Sequence, residues 1–215
     1  MYKKKPFFIV FEGVEGCGKS YQAKRLLNNL KKKKIISIQT REPGGPKGAE
    51  SIRNLILKDY FHKGNVEKFD KYTDTLLYLA ARNEHIKNKI LPALNQKKIV
   101  ICDRFVDSTF AYQVYGKKVN KNFIDQIHKY ILRGIKPNLT FILKVSKNSS
   151  KLRLKKRKTK NRYDNFSQSF YTKAQKSFLK IAKNKKNYFV LNSSLNNNKL
   201  EKKIFNIVYK YLNHK

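Results

Sequence analysis

The sequence predicts an α/β protein, a three-layer α/β/α sandwich around a five-stranded parallel sheet. Three observations lead there. Short β-rich runs at 7–11, 35–39, 99–102, 139–145 and 188–191 include several that are almost continuously apolar, as strands covered on both faces are. The segments between them carry helical spacing, and strands alternating with helices make a parallel sheet with helices on both faces. The first strand-to-helix junction holds Gly13-Val14-Glu15-Gly16-Cys17-Gly18-Lys19-Ser20, a match to G-x-x-x-x-G-K-[ST].

Each element has its own warrant. Phe7–Phe11 is the first strand, and Ala23, Leu26, Leu27 and Leu30 follow at i, i+3, i+4, i+7 as one helical face. Lys31–Lys34 is a like-charge run that reads as a solvated helix end. After the Ile35–Gln39 strand, the stretch Leu76–Arg82 reads as helix, and Tyr78 and Arg82 share a face at i, i+4. Ile99–Cys102 is the third strand. Phe123, Ile124, Ile127 and Ile131 mark a helix before the Leu139–Val145 strand. Phe166, Phe170 and Ala174 mark another before Tyr188–Leu191, and Asn192–Asn198 reads as a polar loop. Leu200, Ile204, Ile207, Val208 and Tyr211 form a closing amphipathic helix. No internal repeat or linker appears, so residues 1–215 read as one domain.

Composition excludes several classes. Two cysteines make no disulfide framework, and 215 residues can bury a core without one. No uncharged apolar run approaches the ~18 residues of a membrane span. The apolar run after Lys3-Lys4-Lys5 ends at Glu12, short of the ~7–15 residues of a signal core. A cytoplasmic, reduced protein is expected. Fifty Lys+Arg against 14 Asp+Glu give a net charge of +36, a disorder-like balance that the 13% aromatic content and ordered apolar pattern outweigh. Forty-one of those cations are lysines spread along the chain. Such a surface binds polyanions weakly and without selectivity, so no specific nucleic acid is expected. The exception is 151–162, with eight cations in twelve residues, where self-repulsion loosens the chain unless anions are present.

The glycine-rich loop carries the first chemistry. Its backbone N–H groups can curl toward phosphate oxygens. Lys19 adds a point charge for the β- and γ-phosphates, and the Ser20 hydroxyl is placed to ligate Mg²⁺. Residues 13–20 thus form a binding site for the phosphates of ATP or GTP, without indicating the acceptor.

Ile9-Val10-Phe11-Glu12-Gly13-Val14-Glu15-Gly16 with Gly18-Lys19, then Thr40-Arg41-Glu42-Pro43-Gly44-Gly45, then Asp103-Arg104-Phe105 with Ser108-Thr109 and Ala111-Tyr112-Gln113, resemble bacterial thymidylate kinases of the phosphate-loop kinase type. Pro137-Asn138-Leu139-Thr140 and Asn161-Arg162-Tyr163-Asp164 extend the resemblance, which runs from about residue 7 to about 180. It implies the reaction ATP + dTMP ⇌ ADP + dTDP, with Mg²⁺, in a homodimer. It implies that Arg53 and Arg104 hold the dTMP phosphate. Tyr78 stands where a phenylalanine usually stacks on thymine, and Arg82 where an arginine bonds a base carbonyl. Thr109 and Gln113 are implied at the base edge, Tyr112 beside the deoxyribose, and Glu15 near the 3′-hydroxyl. Asp103 resembles the acid that holds Mg²⁺, with Ser20. Arg41 and Glu42 are substrate-site candidates in the TREPGG segment. Where some relatives place a catalytic arginine in the phosphate loop, this chain has Gly16. The resemblance then moves that role to a mobile basic lid at 149–165, with Arg153 and Arg162 favoured over Arg157. The catalytic set is therefore Lys19, Arg104, Arg153 and Arg162. Asn138 stands where such kinases often have Asp, and Lys144 where Asp or Asn is common.

Another phosphate-loop nucleotide or deoxynucleoside kinase is the alternative; a nucleic-acid-binding ATPase is a remote one, lacking aromatic–basic interleaving. Cys17 and Cys102 read as packing residues, and the four histidines show no ligand spacing.

Overall fold

A computed structural model describes residues 5–57, 69–156, 167–194 and 197–213. Five parallel strands, β1 (Phe7–Glu12), β2 (Ser37–Arg41), β3 (Ile99–Asp103), β4 (Leu139–Lys144) and β5 (Tyr188–Asn192), lie in the order β2-β3-β1-β4-β5. The register pairs Phe11 and Arg41 with Asp103, so the C-terminal ends of β1, β2 and β3 meet at one edge. From β1 the chain goes first to β2, outside β3, and later to β4 on the other flank. That reversal opens a crevice at the carboxyl ends, where ligands bind in open α/β sheets.

Period-2 alternation makes both faces of the sheet apolar. Phe7, Ile9, Phe11, Ile99 and Ile101 join the larger core, with Leu26 and Leu30 of α1 (Lys19–Lys32), Phe178 of α8 (Gln168–Ala182) and Val208 of α9 (Asn197–Asn213). Phe8, Val10, Val100 and Cys102 face the other side, against Ile86, Ile90 and Ala93. Cys17 belongs to the first core and Cys102 to the second, each fully buried, which supports packing for both.

The helices begin where polar caps allow. Asp70 accepts from the Tyr72 and Thr73 amides at the start of α3 (Lys71–His85), and Asn120 from the Asn122 and Phe123 amides at the start of α6 (Lys121–Ile131). The helical stretch that begins with α3 continues past Arg82 but is interrupted. A π turn, Ile86–Ile90, joins α3 to α4 (Leu91–Asn95), with the Leu91 N–H donating to Ile86 O. Pro92 follows and has no N–H to give. A second π turn, Phe110–Val114, follows the short α5 (Val106–Thr109) and sets the orientation of Tyr112 and Gln113. The remaining helices are α2 (Lys47–Leu57) and α7 (Lys147–Lys155).

All five strands differ from the sequence expectation at an end: β1, β3 and β5 each run one residue further, to Glu12, Asp103 and Asn192, and β2 and β4 shift for identifiable reasons. The second strand is Ser37–Arg41, not 35–39, because the Ile35 N–H donates to Leu30 O at 3.0 Å and closes the α1 turn. Arg41 therefore ends a strand. β4 stops at Lys144, and the Val145 N–H turns to Gln175 Oε1 at 3.0 Å. Phe166, Arg157, Arg162 and the rest of the lid beyond residue 156 lie outside the described residues.

Candidate active site

The loop between β1 and α1 forms because its backbone can take left-handed φ. Gly13 sits at φ 137, and a Cβ there would stand 2.6 Å from Leu143 O. Gly18, at φ 91, caps α1 without any side-chain bond, which leaves the amides of the helix start facing outward as an anion site. Lys19 is buried, and its Nζ donates to Gly13 O and Val14 O, both at 2.9 Å.

A cavity of about 390 Å³ opens beside this loop. Its walls include Glu15, Gly16, Gly18, Lys19 and Ser20 from the loop and α1, and Arg53 from α2. Arg41, Glu42, Tyr78, Arg82, Asp103, Arg104, Thr109, Tyr112, Gln113 and Arg153 complete the expected set there. Gly13, Val14 and Cys17 are behind the lining. Every substrate-site candidate thus converges on one space with the phosphate loop. Arg162 cannot be placed, since it falls outside the described residues.

Arg104 organises the floor. It follows the end of β3 at φ 72, a strained value for a residue with a side chain, fixed by its own N–H donating to Phe11 O at 2.9 Å. Its Nη1 donates to Gly13 O and Ser108 Oγ, both at 3.0 Å, and its Nη2 to Glu15 Oε1 at 2.6 Å. Burial works against this charge, but Tyr112, Glu15 and Asp103 overcome it and hold the guanidinium protonated. The other Glu15 oxygen accepts from the Tyr112 hydroxyl at 2.8 Å, and Arg104 also lies over the Tyr112 ring.

Beneath it Glu12 Oε1 accepts from the Phe105 and Ser108 amides at 2.8 and 3.1 Å, and Oε2 from the Ser108 hydroxyl at 2.6 Å. Glu12 is fully buried, and burial together with Asp107 pushes its carboxyl up to about 8. It braces the turn that carries Arg104. The nearby Asp103 is the metal candidate. Ser20 Oγ donates to Asp103 Oδ2, while buried Oδ1 has no hydrogen-bond partner among the described residues. An orphaned hard oxygen beside a hydroxyl and a triphosphate cradle fits Mg²⁺, which keeps much of its shell as water and phosphate oxygens.

Arg41 and Arg53 form the opposite wall with Glu50, which accepts from Arg41 Nη2 at 3.0 Å; Arg53 Nη1 donates to Pro43 O at 2.7 Å. Burial first, then Arg41, lowers the proton affinity of Arg53, leaving an electropositive wall. On the lid side, Arg153 Nη1 donates to Gly16 O at 3.2 Å and Nη2 to Ser193 O at 2.7 Å. Ser150 Oγ donates to Glu15 O at 2.9 Å, which seats α7 on the phosphate loop.

The sequence reading overlooked two buried histidines. His85 Nδ1 lies 3.2 Å from Glu42 Oε1, and its Nε2 lies 2.6 Å from Thr40 Oγ1. His128 Nε2 meets Arg82 Nη1 at 2.9 Å. Burial would raise Glu42, but Arg82 and His85 outweigh it and hold the carboxylate ionised. His85 could have been found from its place one turn after Arg82. His128 lies in a different helix, and only the packing of α6 on α3 brings it there.

The fold and this site define a phosphate-loop phosphotransferase for a small anionic acceptor. A family model described as thymidylate kinase matches residues 11–204. The thymidylate kinase of Mycoplasmoides gallisepticum is 37% identical over 208 residues, covering 95% of both chains. That of Wolbachia pipientis wMel is 42% identical over 178 residues, covering 81% of this chain and 84% of the other. The crystal structure of thymidylate kinase from Ehrlichia chaffeensis superposes with a TM-score of 0.73 at 31% identity, covering 95% of this chain and 99% of that one. The chain belongs to the thymidylate kinase family.

Proposed function

We propose that the protein transfers the γ-phosphoryl group of ATP to dTMP, giving ADP and dTDP for dTTP synthesis. The observation that supports this best is the single cavity with the phosphate loop on one wall and Arg53, Arg104 and Arg153 around the rest. The loop amides and Lys19 bind the ATP phosphates. Arg53 and Arg104 grip the dTMP phosphate, whose oxygen is already anionic and needs no strong base. Tyr78 stacks on the thymine, Thr109, Gln113 and Arg82 form the base end, and Tyr112 packs beside the deoxyribose.

The attack is in line, with no covalent enzyme intermediate. Its transition state spreads charge over equatorial oxygens, so catalysis is positioning plus cations. Lys19, Arg104 and Arg153 are this chain's catalytic cations, with Arg162 as a second lid candidate. When bound, Mg²⁺ neutralises charge on the transferring phosphate, held by Ser20 and Asp103. The lid, 149–165, screens the reaction from water.

The active form is a cytoplasmic homodimer. Leu76 on α3 and Tyr130 on α6 are 47% and 80% exposed and offer apolar surface for a partner copy. Among the described residues no helix is long and apolar enough to cross a membrane. The test is transfer from ATP made chiral and isotopically labelled at the γ-phosphorus. The label should appear in the β-phosphate of dTDP with inverted configuration. Retention would contradict direct transfer.

A further inference from the structure

We propose that a second cavity, behind the turn that carries Arg104, is a binding site for a small aromatic anion, and that its occupant tightens dTMP binding through α5. The coupling rests on the reading of dTMP as acceptor; the binding site does not.

This cavity measures about 390 Å³, within the roughly 300–1,000 Å³ of small-molecule sites. Three strands build its floor. Val10 pairs in register with Thr140, and Thr140 with Tyr188, so the three side chains stand in a row on one face of the sheet. Glu12, two residues on from Val10, shares that face. Phe105, Phe110, Leu132, Ile135 and Ile181 make the walls apolar, which suits a flat ring system.

Two buried polar groups interrupt that apolar lining. Thr140 is 1% exposed, and its Oγ1 has no hydrogen-bond partner among the described residues. Valine would fill the same volume without burying an unpaired hydroxyl, so the hydroxyl serves something that enters the cavity. Asp107 is buried as well, with its carboxyl against Tyr188. A carboxyl has more acceptor capacity than one tyrosine fills, so it can take an N–H or O–H from a ring. The mouth has the opposite character, with Lys121, Lys136 and Lys185 exposed around it. Lys121 pairs with Asp125, which leaves Lys136 and Lys185 to meet an anionic tail. A ring with one donor and one anionic substituent matches this order of groups.

The two cavities share a wall. Phe105 lines both, and α5 gives Val106 and Asp107 to this one and Ser108 and Thr109 to the active site. Glu12 lines the second cavity while it holds the Phe105 and Ser108 amides, and Ser108 Oγ in turn accepts from Arg104. An occupant packed on Phe105 and α5 restrains the turn that fixes the Arg104 fork. Pre-organising that fork favours the acceptor phosphate.

The probe is indole-3-acetate, which has one ring N–H and one carboxylate. The chain contains no tryptophan, so indole fluorescence excited beyond the tyrosine band reports the probe alone. With the active site filled by ADP and dTMP, the titration should show one saturable site. Thr140→Val should weaken it about fivefold, and Lys136→Glu combined with Lys185→Glu about tenfold. The neutral 3-methylindole should also bind about tenfold more weakly than the acid. Saturating probe should lower the Kd for dTMP about fivefold in wild type and not in T140V, and dTMP should lower the probe's Kd by the same factor. A probe expelled by ADP and dTMP, equal affinity in the wild type and the lysine variant, or no saturable binding would overturn the site. The lysine variant, confined to the surface, decides this even if T140V does not fold. An unchanged or raised Kd for dTMP would overturn the coupling. A wild-type protein that neither binds nor phosphorylates dTMP would overturn the functional reading instead, and the titration with ADP alone then judges the cavity.

Discussion

Gly16 and Ser150 meet at the seam between the phosphate loop and α7. A Cβ on Gly16 would stand 2.8 Å from the Ser150 carbonyl oxygen and 2.9 Å from its hydroxyl. The position that carries an arginine in some relatives is thus occupied here by the backbone of the lid helix. Gly16 also has φ 71, where a side chain is strained by ~1–2 kcal/mol. Gly16→Ala should displace α7, lower kcat about tenfold through misplacement of Arg153, and leave the KM for dTMP nearly unchanged. Steady-state kinetics check this; a KM effect without a kcat effect would contradict it.

Arg153 bridges Gly16 O and Ser193 O, and so stands ready beside the triphosphate cradle. Arg153→Ala should reduce kcat by roughly 10²-fold or more, well beyond any change in KM, and Arg153→Lys should recover only part of it. Equal changes in kcat/KM and KM with constant kcat would instead mean ground-state binding.

Tyr112 offers two separable functions, a hydroxyl bonded to Glu15 and a ring beneath Arg104. If ring bulk excludes a 2′-hydroxyl, Tyr112→Phe should keep the preference for dTMP over UMP and Tyr112→Ala should lose it. An alanine variant with undiminished discrimination would refute the steric account.

His128 gives a pH dependence of stability. Its pKa is about 3 in the folded protein against 6.5 for a free side chain. Below pH 6.5 the unfolded chain takes up a proton that the folded one refuses, so stability falls as pH falls. Between pH 6.5 and 5 this should cost about 1.6 kcal/mol relative to H128Q. Urea unfolding of both proteins across that window measures it. Parallel curves would mean that His128 is protonated in the fold.

The sheet and the phosphate loop were legible because apolar runs and glycine spacing are local signals. The Ile35 misplacement shows the limit: an apolar residue can close a helix turn as well as start a strand. The two π turns were not legible, since Pro92 indicates a disturbance but not its form. The acids and arginines of the site could be found because both charges are informative in a lysine-dominated chain, where 14 acids face 50 cations. Of the buried histidines, His85 stood one turn after Arg82 and could have been found; the other could not. His128 has no motif, and its meaning arises only when α6 packs on α3 and brings it against Arg82.

The most direct measurement is ADP release by the purified protein with Mg²⁺ and ATP across a panel of nucleoside monophosphates. The account predicts turnover dependent on dTMP, with dTDP formed mole for mole and other monophosphates far behind. ADP release indifferent to dTMP, or a different monophosphate preferred, would contradict it.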